Sequence, residues 1–357
     1  MVVEDSAVVR RLLAHIIGQD DRLELVAEAG SAEEALHALP RVRPDVISMD
    51  IRLPGMDGLE ATRRIMSEQP TPIVVFADAV EDSSLRISMY ALRAGALSVV
   101  EKPVGTASGG YAALADRICT QLRIMSEVSV IRRRDIGARF TPRRPFGARL
   151  DGELPPPSPE VRPSLVGIAA STGGPPALAK VLAALPPDFP APILLVQHMG
   201  EPFLEGFAAW LDGLVPPKVA LAAEGELATP GRVHVAPGDR HLVVLPDRRL
   251  RLDAGPPVDG QRPAATVLFA SMAEVAGAQG LGILLTGMGE DGARGLLEMR
   301  RAGALTITEH ESTAVVNGMP GTAVRLGASV MSLPLGLIAP RLLRLTGGEG
   351  AAAQDGW

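Results

Sequence analysis

At 357 residues the chain is long enough for about two domains of average size, and a single core is not expected. An apolar content of 46% and a formal charge of −6 exclude a disordered acidic chain and a basic nucleic-acid coat alike. The lone cysteine, Cys119, excludes an internal disulfide; with no secretory signal and no run of roughly 18 apolar residues, the expected setting is a reducing cytoplasm without membrane insertion.

Residues 1 to about 122 alternate short apolar runs with helical patterns. Asp45 to Asp50, Pro72 to Phe76 and Ala96 to Val100 read as strands. Val9, Leu12, Leu13 and Ile16 follow i, i+3, i+4, i+7 spacing, and Ser31 with Glu34 forms a capping-box signature ahead of Ala35, Leu36 and Leu39. Such βα repeats predict a parallel sheet. From 123 to 163 the pattern breaks into Arg132-Arg133-Arg134, Arg143-Arg144-Pro145 and Pro155-Pro156-Pro157-Ser158-Pro159, a composition that extends chains, so this stretch reads as a linker. Between 164 and 345, apolar runs at Leu165–Ala170, Ile193–Val196, Val233–Val235, Gly282–Leu285 and Leu305–Thr308 recur with helical stretches such as Ala293–Arg301. The fold class is therefore α/β, with a second doubly wound, mainly parallel domain. Residues 346–357 read as a frayed tail.

Two sites stand out. Glu4 and Asp5 follow the first strand, Asp50 ends another, and Lys102 follows a third. Strand ends on one edge of a parallel sheet converge, so three carboxylates and one ammonium would share a crevice. Such a set suits a hard ion such as Mg²⁺, with Asp50 as attacking carboxylate toward a phosphoryl donor and Lys102 neutralising the added charge. Only Lys102, Lys180 and Lys218 offer an ammonium in the whole chain. Each acidic residue taken singly is equally an N-cap or solvated loop residue; jointly they are less ordinary.

With Glu4-Asp5-Ser6, Asp50 followed by Pro54-Gly55-Met56-Asp57-Gly58, and Glu101-Lys102-Pro103, residues 1–122 resemble a response-regulator receiver domain. The resemblance implies a flavodoxin-like (βα)5 fold, Asp50 as phospho-acceptor, Glu4, Asp5 and Asp50 around Mg²⁺, Lys102 as phosphate partner, and a histidine kinase as phosphodonor. Three departures accompany it. Only Met1, Val2 and Val3 precede Glu4, which predicts a truncated first strand; Ala77, followed by Asp78, stands where the family carries a hydroxyl residue; and Val99 replaces its switch aromatic. Phosphate acceptance with a weakened or rerouted readout is the expectation.

The second site centres on Ile168 to Pro176, an apolar strand, a Ser171-Thr172-Gly173-Gly174 turn and a helix start with proline in its first turn. Ser171 stands at the bend, where following backbone N–H groups can stabilise an oxyanion. By itself this A-x-S-x-G pattern is equally a plain turn. His198 follows its strand through Gln197, and Asp291 lies in Thr286-Gly287-Met288-Gly289-Glu290-Asp291-Gly292 after another. Each has a plainer role available, as turn residue, core-edge histidine and helix N-cap. Three such residues past the ends of parallel strands point to nucleophile, base and orienting carboxylate. His241 is the rival base; His15, His37, His234 and His310 lack a comparable setting, and no His/Cys cluster has zinc spacing. The chain order Ser, His, Asp differs from that of α/β-hydrolases.

Ser171 to Gly174, Gln197-His198-Met199, Ala236-Pro237-Gly238 with His241-Leu242, Arg262-Pro263, Leu285 to Gly289 with Asp291-Gly292-Ala293, and Gly318-Met319-Pro320 resemble the chemotaxis protein-glutamate methylesterase family. That resemblance implies hydrolysis of γ-glutamyl methyl esters on the cytoplasmic domain of methyl-accepting chemotaxis receptors, often with deamidation of receptor glutamines. It assigns Ser171 as nucleophile, His198 as base, Asp291 as orienting carboxylate, the Met288 N–H as oxyanion donor and Thr172 as a supporting neighbour, with no cofactor for the ester chemistry. It also implies a receiver that covers the catalytic face until phosphorylated. Ala169, Gly200, Glu309-His310 and Asn317 depart from the family pattern and bear on substrate range. The rival readings are the same chemistry on a receptor array outside chemotaxis and a catalytically silent scaffold or phosphate sink. Without a helix-turn-helix element, and with the arginine groups at 132–144 in a linker, no nucleic-acid partner is expected.

Overall fold

The apolar runs of the N-terminal region become parallel strands with helices between them. In a computed structural model, the described residues are 1–77, 91, 94–96, 98–103, 111–128 and 162–347. They belong to two compact units, Met1–Phe146 and Gly147–Trp357. Asp78 and most of the arginine- and proline-rich stretch lie outside the described residues, as do 348–357 of the expected tail.

In the first unit, β1 (Val2–Val3), β2 (Glu28–Ala29), β3 (Ile47–Asp50), β4 (Ile73–Ala77) and β5 (Ser98–Glu101) form a parallel sheet in the order β2-β1-β3-β4-β5. The short first strand sits inside the sheet, its two valines fully buried. Helix α1 (Ala7–Gly18) starts where Ser6 accepts the Val9 N–H, and it buries Leu13, Ile16 and Ile17. At α2 (Ala32–Val42) the Ser31 hydroxyl accepts the Glu34 N–H at 3.2 Å. The Glu34 carboxylate reaches back to the Gly30 N–H at 2.7 Å, one residue before the position a capping box predicts. Asp57 caps α3 (Gly58–Glu68). Helix α4 (Tyr111–Ser126) continues four residues into the stretch read as linker, because Leu122 and Met125 still bury against the unit's core.

The second unit is a seven-stranded sheet in the order β14-β13-β12-β6-β7-β9-β8, parallel throughout: β6 (Leu165–Ala170), β7 (Ile193–Gln197), β8 (Lys218–Leu221), β9 (Arg232–Val235), β12 (Gly280–Leu284), β13 (Leu305–Glu309) and β14 (Met331–Leu333). A separate antiparallel hairpin, β10 (His241–Val244) with β11 (Leu250–Asp253), packs beside it. Helices α5 (Gly174–Leu182), α6 (Glu201–Asp212), α7 (Ala265–Ala276), α8 (Ala293–Arg301), α9 (Met319–Arg325) and α10 (Leu335–Thr346) connect the strands. Continuous apolar strand runs follow from burial on both faces, and Phe189, Phe203, Phe207 and Phe269 are wholly enclosed. The chain grows outward from β6 to β7 on one side and returns to β12 on the other. The chain reverses direction across the sheet between β6 and β12, and open α/β sheets bind ligands at the carboxyl ends of the strands at such a reversal. Among the described residues no helix is long and apolar enough to cross a membrane.

Candidate active site

Parallel pairing of Ala170 with Gln197 makes Ser171 and His198 the next residues off two neighbouring strands. Ser171 is tightly held through its backbone. Its N–H donates to Thr286 O at 3.0 Å, and its carbonyl accepts from the Gly174 N–H at 2.8 Å and from Gln197 Nε2 at 2.9 Å. Gly173 takes the left-handed region at φ 76°, and a Cβ there would collide with Val315, so the turn requires glycine. The His198 N–H donates to Ala170 O at 3.0 Å, and its imidazole Nε2 lies 2.8 Å from Asp291 Oδ2. No hydrogen bond joins the Ser171 hydroxyl to His198 among the described residues.

Asp291, 3% exposed, accepts three further donors: Ala265 N–H at 2.7 Å, Thr266 N–H at 2.9 Å and Gly292 N–H at 2.8 Å. The first two open α7, which has no side-chain cap of its own, so Asp291 serves the positive end of that helix dipole as well as the imidazole. Burial pushes this carboxyl upward, but the hydrogen bond and charge of His198 with the Thr266 donors outweigh it and hold Asp291 below the ordinary range. The rival base His241 has a different job. Its Nδ1 accepts the Ala264 N–H at 3.1 Å and its Nε2 donates to Pro256 O at 3.0 Å, which commits both ring nitrogens to backbone.

Met288 lies half-buried in the loop after β12, and its N–H has no hydrogen-bond partner among the described residues. The loop is stapled around Gly287, whose N–H donates to Val316 O while its carbonyl accepts from Gly318 and Met319. Thr172 is buried, and its carbonyl accepts the Thr286 hydroxyl at 2.9 Å.

In the first unit the predicted acidic residues meet. Ligand atoms of Glu4, Asp5 and Asp50 lie within 4.8 Å of one another. Lys102 Nζ lies 2.9 Å from Asp50 Oδ2 and 3.1 Å from Glu4 Oε2, ion pairs in which neither oxygen has an aligned hydrogen bond. Burial and the Asp50 charge push Glu4 up to about 7 against the pull of Lys102, and burial raises Asp50 as well. Three clustered carboxylates, two of them buried, are the donor set a hard divalent cation takes. Ala77, at the end of β4, has its carbonyl on the Lys102 N–H at 3.0 Å and offers only a methyl group beside this cluster; Val99 lies in β5.

Comparison with known proteins agrees with this two-part layout. Residues 1–109 match the model of the response regulator receiver domain, and residues 166–342 that of the CheB methylesterase. A protein-glutamate methylesterase/protein-glutamine glutaminase of Paramagnetospirillum magneticum is 53% identical over 355 residues, covering 98% of each chain. The chain belongs to the protein-glutamate methylesterase/protein-glutamine glutaminase family. A further member, from Myxococcus xanthus, is 44% identical over 94% of this chain and 93% of its own. The crystal structure of the Thermotoga maritima CheB methylesterase catalytic domain aligns with a TM-score of 0.50 at 36% identity, covering 52% of this chain and 100% of that one. The protein is thus a methylesterase-family hydrolase carrying a response regulator receiver domain.

Two further residues flank the site without having been assigned a role in it from the sequence. Gln197 stood in the sequence as the polar end of an apolar strand and as the first residue of the Gln197-His198-Met199 motif. Glu309, 1% exposed at the end of β13, accepts the Thr286 N–H at 2.9 Å through Oε2, while its Oε1 has no hydrogen-bond partner; the nearby Thr313 hydroxyl donates to His310 O instead. Burial raises its ionisation above the usual carboxylate range. The folded state therefore holds this proton more tightly than the unfolded chain, and its contribution to stability is present below the unfolded value and lost as pH rises through the folded one. Glu309→Gln is expected to be more stable than wild type by about 1–3 kcal/mol once the carboxylate would be ionised, and to lose that advantage at about pH 4. Thermal melts across pH check this; a stability difference independent of pH would refute it.

Gly287→Ala tests the packing behind the nucleophile. The added Cβ would lie 2.9 Å from Ser171 Cβ and collide with Met319 Sδ. A shift of the loop by around 1 Å is expected to lower hydrolysis roughly 10²-fold in protein that still melts cooperatively. Unchanged turnover per folded molecule would show that the loop does not set the site.

Proposed function

We propose that this chain acts in the cytoplasm, hydrolysing γ-glutamyl methyl esters, and deamidating glutamines, on the cytoplasmic domain of methyl-accepting chemotaxis receptors, under the control of Asp50 phosphorylation by a histidine kinase. The carrying observation is the 2.8 Å pairing of His198 Nε2 with a charged, four-donor Asp291, one residue beyond the strand register that sets His198 beside Ser171. With Nε2–H donated to Asp291, Nδ1 keeps the lone pair and is the basic nitrogen.

In this reading Ser171 turns its hydroxyl onto Nδ1, loses its proton there and attacks the ester carbonyl carbon. The carbonyl oxygen takes the negative charge and is stabilised by the Met288 N–H, with Thr172 beside the nucleophile. Collapse of the tetrahedral intermediate breaks the bond to the methoxy oxygen, which takes the proton from His198⁺ and leaves as methanol. Water, deprotonated by the same imidazole, then releases the glutamate carboxylate and restores Ser171. In the receiver, the carboxylates of Glu4, Asp5 and Asp50 would hold Mg²⁺, which when bound neutralises charge on an incoming phosphoryl group. Asp50 accepts that group and Lys102 pairs with it.

Methanol release from a methylated receptor fragment tests the whole reading. Wild type is expected to release methanol and Ser171→Ala none. Absence of release by wild type would sink it, and binding of the fragment without turnover would favour a silent scaffold.

A further inference from the structure

The geometry points to Gln197 as a positioning residue that sets the relative placement of the nucleophile and the base, an inference that rests on the Ser171–His198 reading above. Regular pairing between β6 and β7 ends at Ala170 and Gln197, where the two chains part toward the two residues that must meet. The Gln197 side chain, 1% exposed, spans the split: Nε2 donates to Ser171 O at 2.9 Å and to His198 O at 3.0 Å. The last inter-strand bond, from the His198 N–H to Ala170 O, reaches only the residue before the nucleophile, and one amide group ties the two backbone units that carry Oγ and the imidazole.

The surroundings are built to that amide. Both of its N–H groups are used, which fixes the orientation of the carboxamide, and its Oε1 is buried without a hydrogen-bond partner. A Cβ on Gly174, the first residue of α5, would collide with that oxygen, so glycine there is what allows the amide to reach across. A buried acceptor left unpaired weakens the fold, and the same volume could be filled by an apolar side chain with no such penalty. What an apolar side chain cannot supply is a pair of donors shared between Ser171 and His198. Since no hydrogen bond joins their side chains, the relative position of the two residues rests on their backbones, and Gln197 is the side chain that couples them.

The test is the rate at which an organophosphonate fluoride phosphonylates the full-length protein, read by intact mass. Ser171 Oγ attacks phosphorus, the P–F bond breaks to release fluoride, and the hydroxyl proton passes to His198; no receptor is required. Gln197→Met, which fills the volume without donors, and Gln197→Glu, which offers only acceptors to the two carbonyls when ionised, are compared with wild type and Ser171→Ala. The folded fraction is taken from near-ultraviolet circular dichroism. Each Gln197 variant is expected to label about 10–100-fold more slowly per folded molecule, the scale on which roughly 1 Å of misplacement acts. Gly174→Ala, which displaces the amide without removing it, is expected to slow labelling in the same direction. Wild-type labelling rates in the folded fraction of the Gln197 variants would overturn the inference, as would failure of both to fold, which would give Gln197 a purely structural role. Failure of wild type to label at Ser171 would instead overturn the reading of the triad itself.

Discussion

Asp291→Asn is expected to lower methanol release by roughly 10⁴-fold, the scale on which an orienting carboxylate acts in serine hydrolases. The arrangement around Asp291 explains why an isosteric amide is a poor substitute. The carboxylate accepts four hydrogen bonds, from His198 Nε2, Ala265 N–H, Thr266 N–H and Gly292 N–H, and donates none. Each oxygen accepts two of them, so an asparagine must turn its NH₂ toward two of these donors. With the oxygen left on Thr266 and Gly292, which share Oδ1, the amide nitrogen takes the Oδ2 position facing His198 and the Ala265 N–H, and the ring is driven to the tautomer with the proton on Nδ1 and the lone pair on Nε2, the wrong side for taking a proton from Ser171. The reverse orientation keeps the oxygen on His198 and Ala265 but sets NH₂ against the Thr266 and Gly292 N–H groups and removes the negative charge from the helix dipole, at a cost of about 1–3 kcal/mol in stability. Either way the imidazolium formed during attack loses its counter-charge. Steady-state methanol release beside a thermal melt separates the two effects, and activity within tenfold of wild type would show that Asp291 is a helix cap alone.

The helix-capping role of Asp291 also shows what could be read from sequence. The strands were legible because burial on both faces leaves continuous apolar runs, as at Leu165–Ala170 and Ile193–Val196, and helix 293–301 was legible from its pattern. The clustering of Ser171, His198 and Asp291 followed from a rule of parallel sheets, since functional groups past strand ends gather on one edge. The plainer alternative for Asp291, a cap, turned out to coexist with its contact to His198, although the helix it caps is α7, 26 residues upstream of it for Ala265, and not the helix that follows it. No local pattern announces a long-range cap of that kind. The dismissal of His241 likewise depends on two backbone partners, Ala264 and Pro256, that only tertiary folding brings together. Gln197 belongs to a motif quoted from the sequence, but its bonds to Ser171 O and His198 O are tertiary, and the space for its amide depends on glycine at 174.

Asp50→Asn is expected to abolish phosphorylation altogether, because an amide cannot act as the attacking carboxylate. Incubation of the full-length protein with a small phosphodonor and Mg²⁺, followed by intact-mass measurement, is expected to add one phosphoryl group to wild type and none to the variant. The local chemistry favours this at Asp50 and not at its neighbours. Asp50 Oδ1 already accepts the Arg52 N–H at 3.1 Å, leaving Oδ2 toward Lys102 at 2.9 Å, and the Glu4 and Asp5 carboxylates lie close enough to share a cation with it. Phosphorylation replaces the carboxylate charge of −1 with a phosphoryl group of about −1.5 to −2, a charge that Lys102 must then serve. Lys102 is already held above its usual range, since burial pulls the ammonium down but the close ion pairs with Asp50 and Glu4 outweigh it. It therefore stays charged when the phosphoryl group arrives. What the site lacks is a hydroxyl at the end of β4: Ala77 sits beside Lys102, with the Phe76 before it in register with Asp50, and a methyl group cannot donate to a phosphoryl oxygen. The expected consequence is that phosphodonor raises methanol release only slightly in wild type and distinctly more in Ala77→Thr, with both responses lost on adding Asp50→Asn. A mass gain that persists in Asp50→Asn would move the phosphorylation site elsewhere, and an equal response in wild type and Ala77→Thr would show that the receiver of this protein signals without that hydroxyl.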